Sequence, residues 1–148
     1  MARYFNDSIR CYEDGKVERL WRSVKWKEVI VKPAFDGYNQ INIDNKLYKI
    51  HRIIASCFIG LDIDDITKTV DHINRVRTDN RVENLRIATH QQQRFNQGAK
   101  GYTYNKRDNN WTAQIMLNKK HIFLGNYDTE AEAHQAYLDA KLKYHIIL

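Results

Sequence analysis

The chain reads as an α+β protein of three consecutive segments: residues 1–60, a β-hairpin leading into a helix; residues 61–97, a strand–loop–strand–helix unit; and residues 98–148, a small sheet packed on one helix. Three observations predict this. Ile41 and Ile43 alternate with polar neighbours ahead of Asp44-Asn45, the period-two pattern of a strand entering a tight hairpin. The stretch Val70 to Gln97, VDHINRVRTDNRVENLRIATHQQQRFNQ, sets two short strands on either side of a polar loop and ends in an amide-rich helical run. Thr129 and Glu132 make a capping box at the head of a helix with alanines on one face.

In chain order, GKVERLW places Val17 and Leu20 after a glycine turn, so the first sixty residues open β-rich. GYNQINIDNKLYKI is the hairpin. HRIIASCFIG then brings Ile53, Ile54, Cys57 and Phe58 onto one helical stripe. His51 and Arg52 fall at the strand–helix junction. His51 is read as a buried junction residue and Arg52 as a contact for an anionic backbone; the converse role stands as the alternative for each. LDIDDITKT, residues 61–69, is a linker. Its Asp62, Asp64 and Asp65 lack the rest of a calcium-loop pattern and read as a solvated loop.

The formal net charge is +6 and the isoelectric point is near 9.3, which favours an anionic partner such as nucleic acid. Residues 1–60 carry 11 basic and 7 acidic side chains, residues 61–97 six of each, and residues 98–148 seven and five. The excess therefore lies in the flanks and not in the central segment. Cys11 and Cys57 are too few and too far apart for a zinc ribbon, so no structural zinc is expected. No apolar run of about 18 residues occurs and no signal-like segment opens the chain. These features predict an intracellular protein that is neither membrane-bound nor secreted.

The central segment carries the chemistry. Asp71 can hold a hard cation through oxygen, and His72 can accept a proton from water near neutral pH. Those are the minimum parts for metal-assisted hydrolysis of a phosphodiester. The Asp-His pair, the Asn84-Leu85 step twelve residues after His72, and the LRIAT strand resemble the ββα-metal unit of the HNH nuclease family. The hairpin and HRIIASCFIG segment upstream resembles what precedes that unit in phage- and intron-encoded homing endonucleases.

The resemblance implies a DNA endonuclease with His72 as general base and Asn84 as the residue that orients the loop behind it. It implies Asp71 and Gln93 as ligands of one divalent ion, Mg²⁺ or alternatively Mn²⁺, and products with 5′-phosphate and 3′-hydroxyl ends. The Gln93 position usually holds Asn or His in the family. Glutamine offers the same carbonyl one methylene further out, and His90 and Asn96 lie three residues to either side as alternatives. Arg75, Arg77 and Arg81 on the loop are candidate phosphate contacts, each with a solvated loop charge as its alternative.

The tail offers strands at GYTY, WTAQIML and KHIFLGNY, with a turn at Asn118-Lys119, and then the capped helix with Ala133, Ala136, Tyr137, Ala140 and Tyr144 on one face. The W-x-A-x-I step, the LGNYDTEAEA run and the A-Y-x-x-A helix resemble the plant ethylene-response-factor type of DNA-binding domain, which is also found appended to HNH homing endonucleases. The resemblance implies a sheet in the major groove of double-stranded DNA. The candidate contacts are Tyr104, Lys106, Arg107, Trp111, Gln114, Lys119 and Lys120; Trp111 is equally a candidate for the sheet–helix core. The alternative to a homing-type endonuclease is a DNA-binding protein that kept the scaffold and lost catalysis at Gln93. A monomeric nickase and a homodimer are both open. The expected location is the cytoplasm of a bacterial host, or the nucleus or cytoplasm of a virus host.

Overall fold

A computed structural model of the chain describes residues 1–145 and resolves them into two compact units, residues 1–93 and residues from 94 onward. The fold is α+β, with small antiparallel sheets and three helices among the described residues.

The first unit opens with a four-stranded meander: β1 (Arg3–Asn6), β2 (Ile9–Cys11), β3 (Val17–Trp21) and β4 (Lys25–Glu28), in sequence order. Only β3 is explicit in the sequence pattern, because strands this short bury one or two side chains and leave little periodicity. The hairpin β5 (Gln40–Ile43) and β6 (Lys46–Lys49) turns at Asp44 and Asn45, both at positive φ (49° and 63°). That is the primed-turn geometry whose twist matches the flanking strands. Helix α1 (Ile50–Phe58) follows directly. Its apolar stripe enters a core with Ile9, Cys11 and Val17 of the meander, Ile41 and Ile43 of the hairpin, and Val70 and Leu85 further on. The core therefore runs straight through residue 60, where the sequence suggested a boundary.

A ribbon of β7 (Lys68–His72) and β8 (Leu85–Thr89) completes the unit, joined by a loop that ends in a 3₁₀ turn at Val82–Asn84. Helix α2 (His90–Phe95) begins at the end of β8. Thr89 and Gln92 cap it reciprocally: the Gln92 N–H donates to Thr89 Oγ1 (3.2 Å), and the Thr89 N–H donates to Gln92 Oε1 (2.8 Å). Cys11 and Cys57, 46 positions apart, meet in the core as free thiols, and the Cys57 partner together with burial pushes the Cys11 thiol upward.

The second unit holds β9 (Tyr102–Asn105), β10 (Asn110–Leu117) and β11 (Lys120–Tyr127) in the order β11-β10-β9. Helix α3 (Glu130–Tyr144) lies on one face of this sheet. Asn118 and Lys119 form the β10–β11 turn at positive φ (50° and 64°), and the Thr129–Glu132 capping box is formed. Ala133, Tyr137 and Ala140 are the buried helix residues, set against Ile115 with Ile122 and Leu124. Small residues at this spacing let the helix approach the sheet closely.

Gly101 depends on that approach. It sits at φ +76°, and a Cβ there would come within 2.0 Å of the Tyr137 ring. Gly101→Ala should cost at least about 2 kcal/mol, from overpacking and left-handed backbone together. Urea unfolding followed by circular dichroism reads this directly; a variant with the wild-type midpoint would show that the Tyr137 ring yields. No described helix is long and apolar enough to cross a membrane.

Candidate functional site

The β7–β8 register pairs Asp71 with Arg86 and His72 with Leu85. Val70, Asp71 and His72 are all buried. Asp71 is held by Arg86, whose Nε and Nη2 both donate to Oδ2 at 2.9 and 2.7 Å. His72 follows at the end of the strand. Its Nε2 lies 3.3 Å from Asn80 Oδ1, and its ring meets His51 edge-on (centroids 5.0 Å apart) and Tyr38 at 5.8 Å. Tyr38 and His51 also meet edge-on, at 4.9 Å. Burial holds the His72 imidazole below its ordinary range, opposed by the Asn80 contact and the carboxylates of Asp71 and Asp79. Burial, then His72, Lys49 and Arg52, push His51 down to about 3, so it is a neutral wall of the site.

The loop from His72 to Leu85 is held from within. Asn84 is buried; its Oδ1 accepts from the Asn74 N–H (2.9 Å) and its Nδ2 donates to the Asp79 carbonyl (2.8 Å). The Asn74 amide reaches Asp79 Oδ2 at 2.7 Å. Arg81 and the Asn74 amide hold the Asp79 carboxyl well below the usual carboxylate range, against the opposing effect of burial. Val82 N–H donates to Glu13 O (2.8 Å), tying the loop to the turn before β3. The side-chain-to-backbone bonding expected of Asn84 is the geometry seen.

The cations divide differently from expectation. Arg52, read as a phosphate contact, spends its guanidinium on the carbonyls of Lys68, Ile63 and Asp65 at 3.0–3.1 Å, pinning α1 to the 61–69 segment. Arg81 bridges Asp79 and Glu83 at 2.8 and 2.7 Å. Arg77 donates to the Asp36 carbonyl (2.8 Å) and lies over the Tyr38 ring. These three side chains are structural ties in the unbound protein. Arg75 is exposed, at φ 65°. Among the linker carboxylates, Asp62 and Asp65 accept local backbone N–H groups and Asp64 pairs with Lys46, as in a solvated loop.

Gln93 is half-buried on α2. His90 is turned towards the Ile66 carbonyl at 3.3 Å. Among the described residues no three His, Cys, Asp or Glu side chains gather into a metal-binding group. The expected set is one carboxylate and one amide, hard oxygens that suit a hydrated Mg²⁺-like ion. Asp71 supplies a hard anionic oxygen of this kind, with its Oδ2 taken up by Arg86 in the metal-free protein. Arg86, Asn80, Tyr38 and His51 were not among the predicted site residues. Strand register brings Arg86 to Asp71, loop closure brings Asn80 to His72, and packing of distant segments brings Tyr38 and His51.

In the second unit the candidate contacts are divided between the two faces of the sheet and its ends. Tyr104 pairs with Trp111 and Tyr102 with Ala113, on the face that α3 covers; the Trp111 ring packs between Tyr102 and Tyr104 at 5.7 and 5.0 Å. Trp111 is therefore part of the aromatic packing beside the helix. The open face carries Thr112 opposite Asn126, Gln114 opposite Phe123, and Met116 opposite His121. Lys106 and Arg107 lie in the β9–β10 turn, with Lys119 and Lys120 at the other end of β10, all four exposed.

An antiparallel ribbon ending in Asp-His, a loop stapled by an asparagine, and a short helix together make a ββα unit. Residues 48–94 match the HNH endonuclease family. The matched segment opens in β6 and takes in α1, the β7–β8 ribbon and most of α2. One similar solved structure is described as "DNA binding and cleavage by the HNH homing endonuclease I-HmuI", at 24% identity and a TM-score of 0.49; the match covers 59% of this chain and 49% of that one, so this chain spans about half that protein's length. No curated protein sequence matches the chain.

Proposed function

We propose that this protein is a divalent-metal-dependent endonuclease acting on double-stranded DNA, with chemistry in the β7–β8–α2 unit and much of its DNA affinity in the C-terminal sheet. The observation that carries the reading is the placement of Asp71 and His72 at the end of β7, within the segment that matches the HNH family. His72 takes the proton from the attacking water. The contact between Nε2 and the Asn80 amide oxygen orients the ring. His51 and Tyr38 wall the ring, and Asn84 fixes the loop that carries Asn80. Asp71 and Gln93 would hold the divalent ion, which supplies charge stabilisation at the scissile phosphate when bound.

Nicking of supercoiled plasmid with Mg²⁺, and none with EDTA, is the expected result. DNA binding without cleavage under any divalent ion would leave the second reading, a scaffold that binds DNA and has lost catalysis. The long arm of Gln93 is what keeps that reading alive, because Mg²⁺ tolerates little geometric error.

Gln93 is tested separately. Outer-shell partners of metal sites alone cost about 10–100-fold in affinity when removed, so loss of a ligand should cost at least that. Gln93→Ala should weaken Mg²⁺ binding by this margin in calorimetry, and Gln93→Asn should retain it or improve it. A silent Gln93→Ala alongside an inactive Asn96→Ala would move the ligand along the helix.

A further inference from the structure

We propose that Arg86 is a resident counter-cation on Asp71, which it releases when a divalent ion binds, so that metal binding and guanidinium release are a single exchange. The proposal rests on the reading of Asp71 as a metal ligand. Arg86 faces Asp71 directly across the β7–β8 ribbon, and two of its N–H groups converge on one oxygen, Oδ2. The Asp71 side chain is only 7% exposed, whereas that of Arg86 is 30% exposed.

A carboxylate this deep is costly to ionise without a positive neighbour. The neighbour must be permanent in the metal-free protein, and a guanidinium cannot shed its proton. The same pair is an obstacle to metal. A doubly charged ion on this carboxylate would sit at contact distance from a fixed positive charge, a repulsion that partial burial leaves poorly screened.

The two groups differ in freedom. Asp71 is fixed in the strand and its side chain is enclosed, while Arg86 is long and partly solvent-facing. Arg86 is therefore the group that moves. Once off Asp71 it remains beside the ion, where a DNA phosphate offers acceptor oxygens in place of the one that it has lost. Metal and DNA then bind with positive coupling through one side chain, and the coupling must be the same in both directions.

The test uses the full chain. Calorimetry with Mn²⁺ compares wild type, Arg86→Gln, Arg86→Lys and Asp71→Asn, and thermal melts without metal run alongside. Arg86→Gln should bind Mn²⁺ about tenfold tighter than wild type, the scale of one lost charge-assisted hydrogen bond, while melting earlier without metal. A residue that merely braced the site would weaken binding when removed. Arg86→Lys, which keeps the charge and loses the fork, should fall between the two.

In wild type, the Arg86 Nε–H resonance should move on Mg²⁺ titration with the midpoint seen by calorimetry, a readout that needs no variant to fold. An unmoved resonance at saturating Mg²⁺, or Mn²⁺ binding by Arg86→Gln no tighter than wild type, overturns the proposal and leaves Asp71 as a ligand. Wild-type Mn²⁺ affinity in Asp71→Asn overturns instead the reading of the site on which the proposal stands.

Discussion

His72→Ala should lower the rate of DNA cleavage by about 10²–10⁴-fold, the usual cost of removing a general base, and leave DNA affinity little changed. His72 is buried at the end of β7, with Nε2 on Asn80 and its ring against His51, surroundings that favour a neutral imidazole over a charged phosphate contact. The ring also fills space, and truncation leaves a cavity beside Tyr38 and His51. His72→Asn, which keeps more of the volume, is therefore the companion variant, with circular dichroism melts for both. Plasmid nicking is the readout for rate and fluorescence anisotropy the readout for binding. If either folded variant cleaves at the wild-type rate, His72 is not the base and the proposed mechanism fails.

Replacing Lys106, Arg107, Lys119 and Lys120 together with alanine should weaken DNA binding steeply and flatten its salt dependence. Each phosphate contact contributes about 0.9 to the slope of log K against log salt, so four lost contacts would reduce the slope by up to about 3.6. These four side chains are exposed at the two ends of β10, whereas the open face between them carries Thr112, Gln114, Met116, His121, Phe123 and Asn126 and, among these described positions, no Lys or Arg. Phosphate attraction at the ends and neutral contacts in the middle are thus separable. Gln114→Ala alone should leave the salt slope unchanged and alter sequence preference, because an amide can pair with adenine while contributing no charge. An unchanged slope in the fourfold variant would place the DNA-binding charge in the first unit and leave the C-terminal sheet for another partner.

The parts legible in the sequence are those decided within a few residues. Asp44-Asn45 and Asn118-Lys119 both turn at positive φ, and at Asp44, Asn45 and Asn118 the short amide or carboxylate side chain tolerates that backbone. The Thr129–Glu132 box formed because its two hydrogen bonds span three residues. Tyr137 and Ala140 face the sheet as the helical period required. The Asp71-His72 and Asn84 spacing was legible for the same reason: Asn84 acts on Asn74 and Asp79, ten and five residues away in one loop.

The partners of the long cations and of the aromatics were not legible. Arg52 and Arg81 looked like phosphate contacts because a sequence shows a charge but not its partner. Arg52 found three carbonyls ahead of it in the fold, and Arg81 found two carboxylates within its own turn. Trp111 and Gln114 stand three apart on one strand and so fall on opposite faces; which face the helix would cover was not written locally.

By itself, then, the sequence determined the fold class, the turns and caps, the helical stripes, and the Asp-His-Asn skeleton of the site, since each follows from backbone geometry over short spans. The tertiary structure alone decided that Arg86 lies on Asp71, that Asn80, His51 and Tyr38 surround His72, and that the C-terminal cations stand at the ends of a neutral face. Those juxtapositions depend on strand register, where a shift of one residue exchanges the two faces, and on burial that brings together residues far apart in the chain.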